Sequence, residues 1–168
     1  MNLMNLIRPN SAARSTALLA LAMSVAISSS AYAADVPNKA AEFAIKYRKS
    51  LYTTMYGNFA PLGAVVKGAA PYDAKAFTVK AERVAFLSVM AADAFPAESQ
   101  SGAPTNAKPE IWTNRTEFDK LMKNWQDKTA ALAKVSQDGK LDAIKPAFGA
   151  VAEACKACHD KFRVEEKH

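Results

Sequence analysis

The sequence predicts an all-α protein, an antiparallel four-helix bundle. Apolar residues recur at spacings of three and four over four stretches of the chain, which is the period of an amphipathic helix. No stretch shows the alternation of apolar and polar residues that is typical of a strand, and no internal repeat is present. Three of the helices follow one another through short or moderate connections, which favour antiparallel neighbours.

The first predicted helix begins near Lys39, where Asn38 can cap its N-terminus. Arg48 lies on the apolar stripe of this helix, where a hydrocarbon side chain would be expected. It is either an arginine whose head reaches water or the partner of a buried anion. The stripe comprises Ala41, Ala44, Ile45, Leu51, Tyr52, Met55, Phe59, Leu62 and Val66.

The second helix is predicted from a cap at Asp73 to Pro96, and residues 97–109 form one long connection without periodicity. Asn114 and Glu117 match a capping box that begins the third helix, and Gly139 follows its end. The inner faces of these two helices carry Phe77, Ala81, Val84, Leu87, Ala91, Phe95, Phe118, Leu121, Met122, Trp125, Leu132 and Val135. Most of Phe43, Phe77, Phe118, Trp125 and Phe148 are interpreted as ordinary core residues.

The fourth helix is predicted from Leu141 to Val164, with Pro146 expected to kink its first turns. Its apolar stripe runs through Ile144, Phe148, Val151, Cys155, Cys158 and Phe162, so that both cysteines lie on the face that is buried.

This helix carries the motif Cys155-Lys156-Ala157-Cys158-His159, which holds the only two cysteines of the chain. Thiols three residues apart lie on the same side of a helix, less than one turn from each other. Covalent haem c attachment needs two sulfurs for the two vinyl groups and a neighbouring histidine as axial iron ligand. The motif therefore predicts one covalent haem held by Cys155 and Cys158, with His159 on the iron. For Arg48, a haem propionate would then be the buried anion.

Other interpretations of the motif have less support. A thiol oxidoreductase of the thioredoxin type, without haem, expects a βαβ setting that the sequence lacks. Structural zinc needs four ligands, and the chain offers no Cys or His beyond Cys155, Cys158, His159 and the terminal His168. A disulfide between residues three apart in a helix would be strained.

Residues 1–33 have the pattern of a secretory signal peptide, with Arg8 and Arg14 before an apolar run and a cleavage pattern ending at Ala33. Residues 34–168 would then form the mature periplasmic domain, without a membrane anchor; an uncleaved anchor is the alternative, although the apolar run is short for one. Removing two arginines lowers the net charge from +6 to +4. So mild a basic balance gives nucleic-acid binding little support.

A sixth iron ligand would have to come from upstream, because no methionine follows His159. Met55, Met90 and Met122 are the methionines of the mature chain, whereas His168 belongs to the same helix as His159.

The position of this motif on the last of four helices resembles cytochrome c′, the class II c-type cytochromes. The resemblance covers nearly all of residues 38–165, with matching stretches at 44–50, 66–73, 108–112 and 155–163. It implies thioether bonds to both cysteines, proximal ligation by the histidine and NO or CO binding at a closed distal face. It also implies high-spin, five-coordinate iron and, in many members, a homodimer.

Further site residues follow from the same resemblance. Arg48 would lie near a propionate, Arg163 beside the proximal imidazole, and Phe95 on the distal side. Low-spin relatives carry a methionine ligand at the position of Tyr52, so that Tyr52 is expected to cover the iron without binding it. Met55, one turn further along the stripe, is its rival.

The sequence thus predicts an exported haem protein that transfers electrons, binds NO or CO, or does both. A low-spin, Met-ligated electron carrier is the alternative. An enzyme is not predicted, because acid–base catalysis needs suitable side chains near the iron and the mature chain holds no histidine besides His159 and His168.

Four basic residues lie on or near the haem-bearing helix, and they either attract an acidic redox partner or complement the helix dipole. They are Lys156, Lys161, Arg163 and Lys167. Homodimerisation would use the first two helices, whose outer faces show only scattered apolar residues such as Ala40, Tyr47 and Val65.

Overall fold

A computed structural model describes residues 38–165 as a bundle of four long helices. The helices are α1 (Lys39–Val66), α2 (Ala74–Ala92), α3 (Glu110–Thr113), α4 (Arg115–Ser136) and α5 (Leu141–Phe162), with a 3-10 helix at Ala97–Gln100. The four long helices confirm the predicted bundle, and this part of the chain contains one isolated β-bridge and no strand. The predicted signal peptide, Lys167 and His168 lie outside the described residues. None of the described helices has the length and hydropathy to cross a membrane.

The long helices pack in a ring, α1 on α2, α2 on α4 and α4 on α5. The α1–α5 seam that closes the ring is much the sparsest of these contacts. At one end of that seam the helices approach closely, because Gly63 admits the ring of Phe148, which also stacks on Phe59 at 4.5 Å between centroids.

The sequence correctly predicts the residues that cap the N-termini of α1 and α2. The Asn38 side chain accepts a hydrogen bond from the backbone N–H of Ala41 at 3.1 Å, and Asp73 accepts one from Ala76 at 2.8 Å. Each cap satisfies one of the backbone donors that a helix start leaves open, a contribution of about 1 kcal/mol.

The predicted capping box before α4 is wrong. Asn114 is the residue before α4, but its side chain makes no capping hydrogen bond, because the short helix α3 already holds its backbone N–H on the Glu110 carbonyl at 2.8 Å. The Glu117 carboxylate is used elsewhere, in an ion pair with Lys161 on α5.

The connection between α2 and α4 is more ordered than the sequence predicts. Helix α2 ends at Ala92, four residues before Pro96, and the 3-10 helix follows. Further on, Lys108 N–H donates to the Phe162 carbonyl at 2.9 Å, and Ala107 forms the β-bridge with Arg163. Helix α5 also ends at Phe162, two residues before the predicted end, since the chain there becomes the extended partner of this bridge.

Pro146 lies inside α5 and is exposed, and the helix runs through it from Leu141 without interruption. The backbone carbonyl that loses its donor can be hydrated on this outer face. The break before α5 is at Gly139, whose φ of 66° lies in the left-handed region that glycine adopts without strain.

Candidate functional site

The motif of α5 brings two half-buried thiols against the core. Cys155 and Cys158 both pack on the core cluster, are free thiols, and are less buried than the predicted stripe implies. His159, next along the helix, is exposed. The two sulfurs and the imidazole thus meet near the sparse α1–α5 seam.

The environment keeps both thiols protonated at neutral pH. Burial raises the pKa of Cys155, opposed by a hydrogen bond between its side chain and the Trp125 indole. Burial also raises the pKa of Cys158 to about 11, with a further contribution from charge on Cys155. A redox CxxC works through a thiolate whose pKa is lowered, so these thiols are unsuited to a thiol oxidoreductase. Zinc has no support either, because the described residues contain no group of three or more ligating side chains.

Tyr52 on α1 faces this pair of cysteines. Its ring lies nearly parallel to that of Trp125 on α4, with centroids 6.2 Å apart and planes at 18°, and edge-on to Phe95 at 6.2 Å. Burial raises the pKa of the Tyr52 phenol, charge on Cys158 and Cys155 raises it further, and Arg48 opposes them. The phenol therefore lies between the thiols and the guanidinium, and it is neutral.

The three methionines that the sequence offers as ligands differ in position. Met55 and Met122 are buried in the core, and Met90 is half-buried against it. Aromatic contacts around the thiols come from Tyr52 and Trp125 instead.

Arg48 is buried, with 4% of its surface exposed, so that the interpretation of a head reaching water is wrong. Its Nη1 donates to the Ala94 carbonyl at 3.2 Å and to Ser99 Oγ at 2.8 Å. Its Nη2 donates to the Ser99 carbonyl at 3.3 Å and to Thr105 Oγ1 at 3.0 Å. These bonds tie α1 to the long connection.

Aromatic rings complete the surroundings of this guanidinium. Arg48 Cζ lies 4.8 Å from the ring centroid of Phe95 and 5.8 Å from that of Trp112. Burial lowers the pKa of Arg48, because no carboxylate within residues 38–165 forms an ion pair with it. A carboxylate at this place would offset that cost.

Phe95 is held beside Arg48 by its own backbone. Trp112 Nε1 donates to the carbonyls of Phe95 and Pro96 at 3.3 and 3.1 Å, and Arg115 Nη1 donates to that of Phe95 at 3.2 Å. The Phe95 ring contacts Phe118 edge-on at 4.8 Å. Phe95 thus joins Arg48 and Tyr52 in one region, although they come from distant parts of the chain.

Arg163 is joined to His159 through the backbone at the end of α5. Its backbone N–H donates to the His159 carbonyl at 3.0 Å. Desolvation lowers the pKa of the His159 imidazole, the charge of Arg163 lowers it further, and Asp160 opposes them. A neutral imidazole is the form that ligates iron.

Sequence reasoning missed some residues of this region. Ser99 and Thr105 hold Arg48 across more than fifty residues, and no local pattern marks them. Trp125 was interpreted as core, which its burial confirms, but its buried Nε1 also interacts with the Cys155 thiol and finds no oxygen or nitrogen acceptor among residues 38–165. An indole in a predicted core is itself a signal, because its N–H requires an acceptor there.

These residues fit a covalent haem. Two thiols at the required spacing, an exposed imidazole and aromatic rings from α1, α4 and the connection after α2 would provide its attachment, its axial ligand and an apolar environment. The buried guanidinium, which has no carboxylate partner among residues 38–165, is a group that such a cofactor, with its carboxylates, can satisfy.

Comparisons with known proteins agree with this assignment. A family model described as Cytochrome C′ matches residues 43–163. Cytochrome c′ of Alcaligenes xylosoxydans xylosoxydans is 38% identical over 122 residues, which cover 73% of this chain and 94% of the relative. Cytochrome c′ of Rubrivivax gelatinosus is 33% identical over 120 residues, 71% of this chain and 93% of the relative.

Solved structures extend the similarity to three dimensions. A nitric oxide complex of a cytochrome c prime mutant from Alcaligenes xylosoxidans has a TM-score of 0.69 at 37% identity, covering 74% of this chain and 97% of that one. A ferrous variant of the same protein with bound NO has a TM-score of 0.70 at 36% identity, covering 75% and 97%.

A four-helix bundle with two thiols and a histidine on its last helix defines a c-type cytochrome of the helical-bundle class. The chain belongs to the cytochrome c′ family. Its cofactor is haem c, which this family binds covalently, and Cys155 and Cys158 are the cysteines present for it.

Proposed function

We propose that this protein is a periplasmic cytochrome that binds NO or CO, transfers electrons, or does both, and that it turns over no substrate. The observation that carries the proposal is the pair of protonated, half-buried thiols on α5, which face Tyr52 on α1 and Trp125 on α4. Cys155 and Cys158 would hold the haem, and His159 would be its axial ligand.

When bound, the haem supplies an iron centre that takes up a small ligand or exchanges an electron. The residues of the chain decide which ligands reach it. The neutral phenol of Tyr52 shields the side opposite His159, and its raised pKa makes it a poor ligand there. The guanidinium of Arg48, held by Ser99 and Thr105, would lie near a propionate.

The proposed iron is five-coordinate and high-spin. Tyr52 is close enough to Cys155 and Cys158 to interact with them electrostatically, and Met55 lies about 4–5 Å further along the axis of α1, in the core cluster. The low-spin alternative would need Met55 to displace this ring.

Two observations support a protein that binds a small ligand without catalysing a reaction. Similar structures are described as complexes with NO. The side chains facing the thiols are aromatic or neutral, and the described part of the chain holds no histidine besides His159 that could act as an acid or base.

An acidic redox partner has less support than the sequence suggests. Lys156 is paired with Asp160 and Lys161 with Glu117, so that much of the basic cluster on α5 is neutralised. Arg163 remains without an ion pair among residues 38–165. Electron-transfer rates that do not change with ionic strength would exclude electrostatic steering.

Homodimerisation through α1 and α2 has more support. Phe43 is 71% exposed and Phe86 is 68% exposed, so that Phe43 is not the core residue that the sequence predicts. Tyr47, Val79 and Val89 are also exposed on these two helices. Such apolar surface is typical of a protein–protein contact.

An absorption spectrum of the protein purified from the periplasmic fraction tests the proposal. We expect a Soret band that stays with the protein after acid–acetone extraction, and its loss when Cys155→Ala and Cys158→Ala are combined. Extractable haem, or none, would contradict covalent attachment. N-terminal sequencing of the same sample tests the expected cleavage after Ala33.

A further inference from the structure

One threonine in the connection between α2 and α4 joins two parts of the molecule that lie far apart in the chain. Thr105 Oγ1 accepts a hydrogen bond from Arg48 Nη2 at 3.0 Å and another from the backbone N–H of Ala107 at 3.2 Å. A threonine hydroxyl that bonds the N–H two residues on forms a local turn. This one side chain therefore holds the guanidinium of α1 and also sets the direction of the chain that follows it.

The segment after this turn pairs with the end of α5. Lys108 N–H donates to the Phe162 carbonyl at 2.9 Å, and Val164 N–H donates to the Asn106 carbonyl at 2.8 Å. These two bonds flank the antiparallel β-bridge of Ala107. So short a pair of extended segments is marginally stable in water by itself, and the bridge therefore depends on what holds the connection in place.

The same end of α5 carries the histidine of the motif. His159 lies in the last turn of this helix, and its carbonyl accepts the backbone N–H of Arg163 at 3.0 Å. Helix ends fray, whereas a residue that ligates a metal needs a fixed orientation. The bridge that Thr105 supports therefore holds the turn that carries His159.

Ser99 provides a contrast within the same network. Its Oγ accepts a hydrogen bond from Arg48 Nη1 at 2.8 Å and donates one to the Pro96 carbonyl at 2.8 Å, so that both contacts lie before the bridge segment. Ser99 and Thr105 hold the same guanidinium, and of the two Thr105 is the one that also bonds to the segment paired with α5.

We propose that Thr105 is a positioning residue of the haem site, which holds Arg48 and the last turn of α5 in one fixed arrangement and thereby orients His159. This inference rests on the proposed haem-binding function, because it takes His159 as the axial ligand. Loss of the hydroxyl would leave one N–H of the guanidinium and that of Ala107 without their acceptor. Thr105 acts on the imidazole through the bridge, so that its loss should be detected at the end of α5.

Thr105→Val tests the inference, since it removes the hydroxyl and keeps the branched shape of the side chain. Thr105→Ser restores the hydroxyl, and Ser99→Ala is the matched control that also removes an acceptor of Arg48. The first measurement is hydrogen–deuterium exchange of the haem-loaded proteins, followed by mass spectrometry. In Thr105→Val we expect residues 162–164 to exchange about fivefold faster than in the wild type, the factor that one neutral hydrogen bond supplies. Thr105→Ser and Ser99→Ala should match the wild type in this segment.

Resonance Raman spectra of the ferrous proteins provide a measurement that a merely structural role would not change. The iron–histidine stretching band should shift in Thr105→Val, because the imidazole is no longer held in one orientation, and should return to its wild-type position in Thr105→Ser. Ser99→Ala should leave this band unchanged. Unchanged exchange, an unchanged band, or an equal change in Ser99→Ala would each overturn the inference.

If Thr105→Val does not fold, exchange of the wild type in urea below its unfolding transition decides. Residues 105–108 and 162–164 should open together, with the same dependence on urea, and separate openings would exclude the coupling. A wild type without a Soret band would refute the proposed function itself, whereas a haem-loaded wild type whose properties Thr105→Val does not change refutes only the inference about Thr105.

Discussion

Arg48 on α1 donates a 2.8 Å hydrogen bond to Ser99 Oγ, fifty-one residues later in the chain, and both residues are buried. This bond fixes the 3-10 helix of the long connection against α1. The backbone between Ala94 and Thr105 is thereby held over one side of the haem site, where Phe95 lies.

Ser99→Ala should lower the free energy of unfolding by about 1–3 kcal/mol, because it leaves one N–H of a buried guanidinium unpaired. Urea denaturation measures this change. Thr53→Ala is the control, since the Thr53 hydroxyl is exposed and bonds only within its own helix, and it should change stability by less than about 0.5 kcal/mol. Equal effects of the two substitutions would refute the importance of the Arg48 contact.

Tyr52→Ala should bind CO faster and more tightly than the wild type, because a ligand no longer has to displace the ring. Met55→Leu should leave the ferrous spectrum high-spin, since Met55 belongs to the core and the substitution conserves its volume. Spectra of the ferrous proteins and CO flash photolysis provide the measurements. A low-spin wild type that becomes high-spin in Met55→Leu would instead assign the sixth position to Met55.

The ion pair between Glu117 and Lys161 should make the free energy of unfolding decrease at acidic pH. The hydrogen bond and charge of Lys161 lower the pKa of Glu117 in the folded protein. The contribution is therefore complete above the pKa of the unfolded chain, about 4.3, and is lost as the pH falls through the lower folded value.

Glu117→Gln should accordingly weaken the fall in Tm between about pH 5 and pH 3 relative to the wild type. Thermal unfolding followed by circular dichroism across this range tests it. Glu153→Gln, an exposed carboxylate on α5 with no ion pair among the described residues, is the control and should follow the wild type. Parallel profiles for all three proteins would show that the pair does not contribute.

Phe86→Glu should convert a homodimer into a monomer, because it places a charge on the exposed apolar surface of α1 and α2. Tyr56→Glu is a matched control on α1. Tyr56 is 71% exposed, but it lies nine residues from Tyr47 and therefore on the opposite side of the helix. Sedimentation velocity at micromolar concentration separates the outcomes, and a monomeric wild type would contradict the proposed dimer.

Local patterns account for the features that the sequence predicts correctly. The caps at Asn38 and Asp73 act within three residues, and helix periodicity follows from the backbone geometry alone. The failed capping box at Asn114 shows the limit of such patterns. A preceding helical turn had already engaged the backbone there, and Glu117 found a partner on another helix.

The cysteine motif also belongs to the local class. Its spacing on one helix face is set by the helix itself, so that the sequence by itself determined the four helices, the haem attachment pattern and the histidine beside it. Only the tertiary structure decided what faces that motif. The partners of Arg48, the exposure of Phe43 and the interaction of Trp125 with Cys155 depend on contacts between residues far apart in the chain. Burial and hydrogen bonding at these positions are properties of the packed bundle, and no short segment contains them.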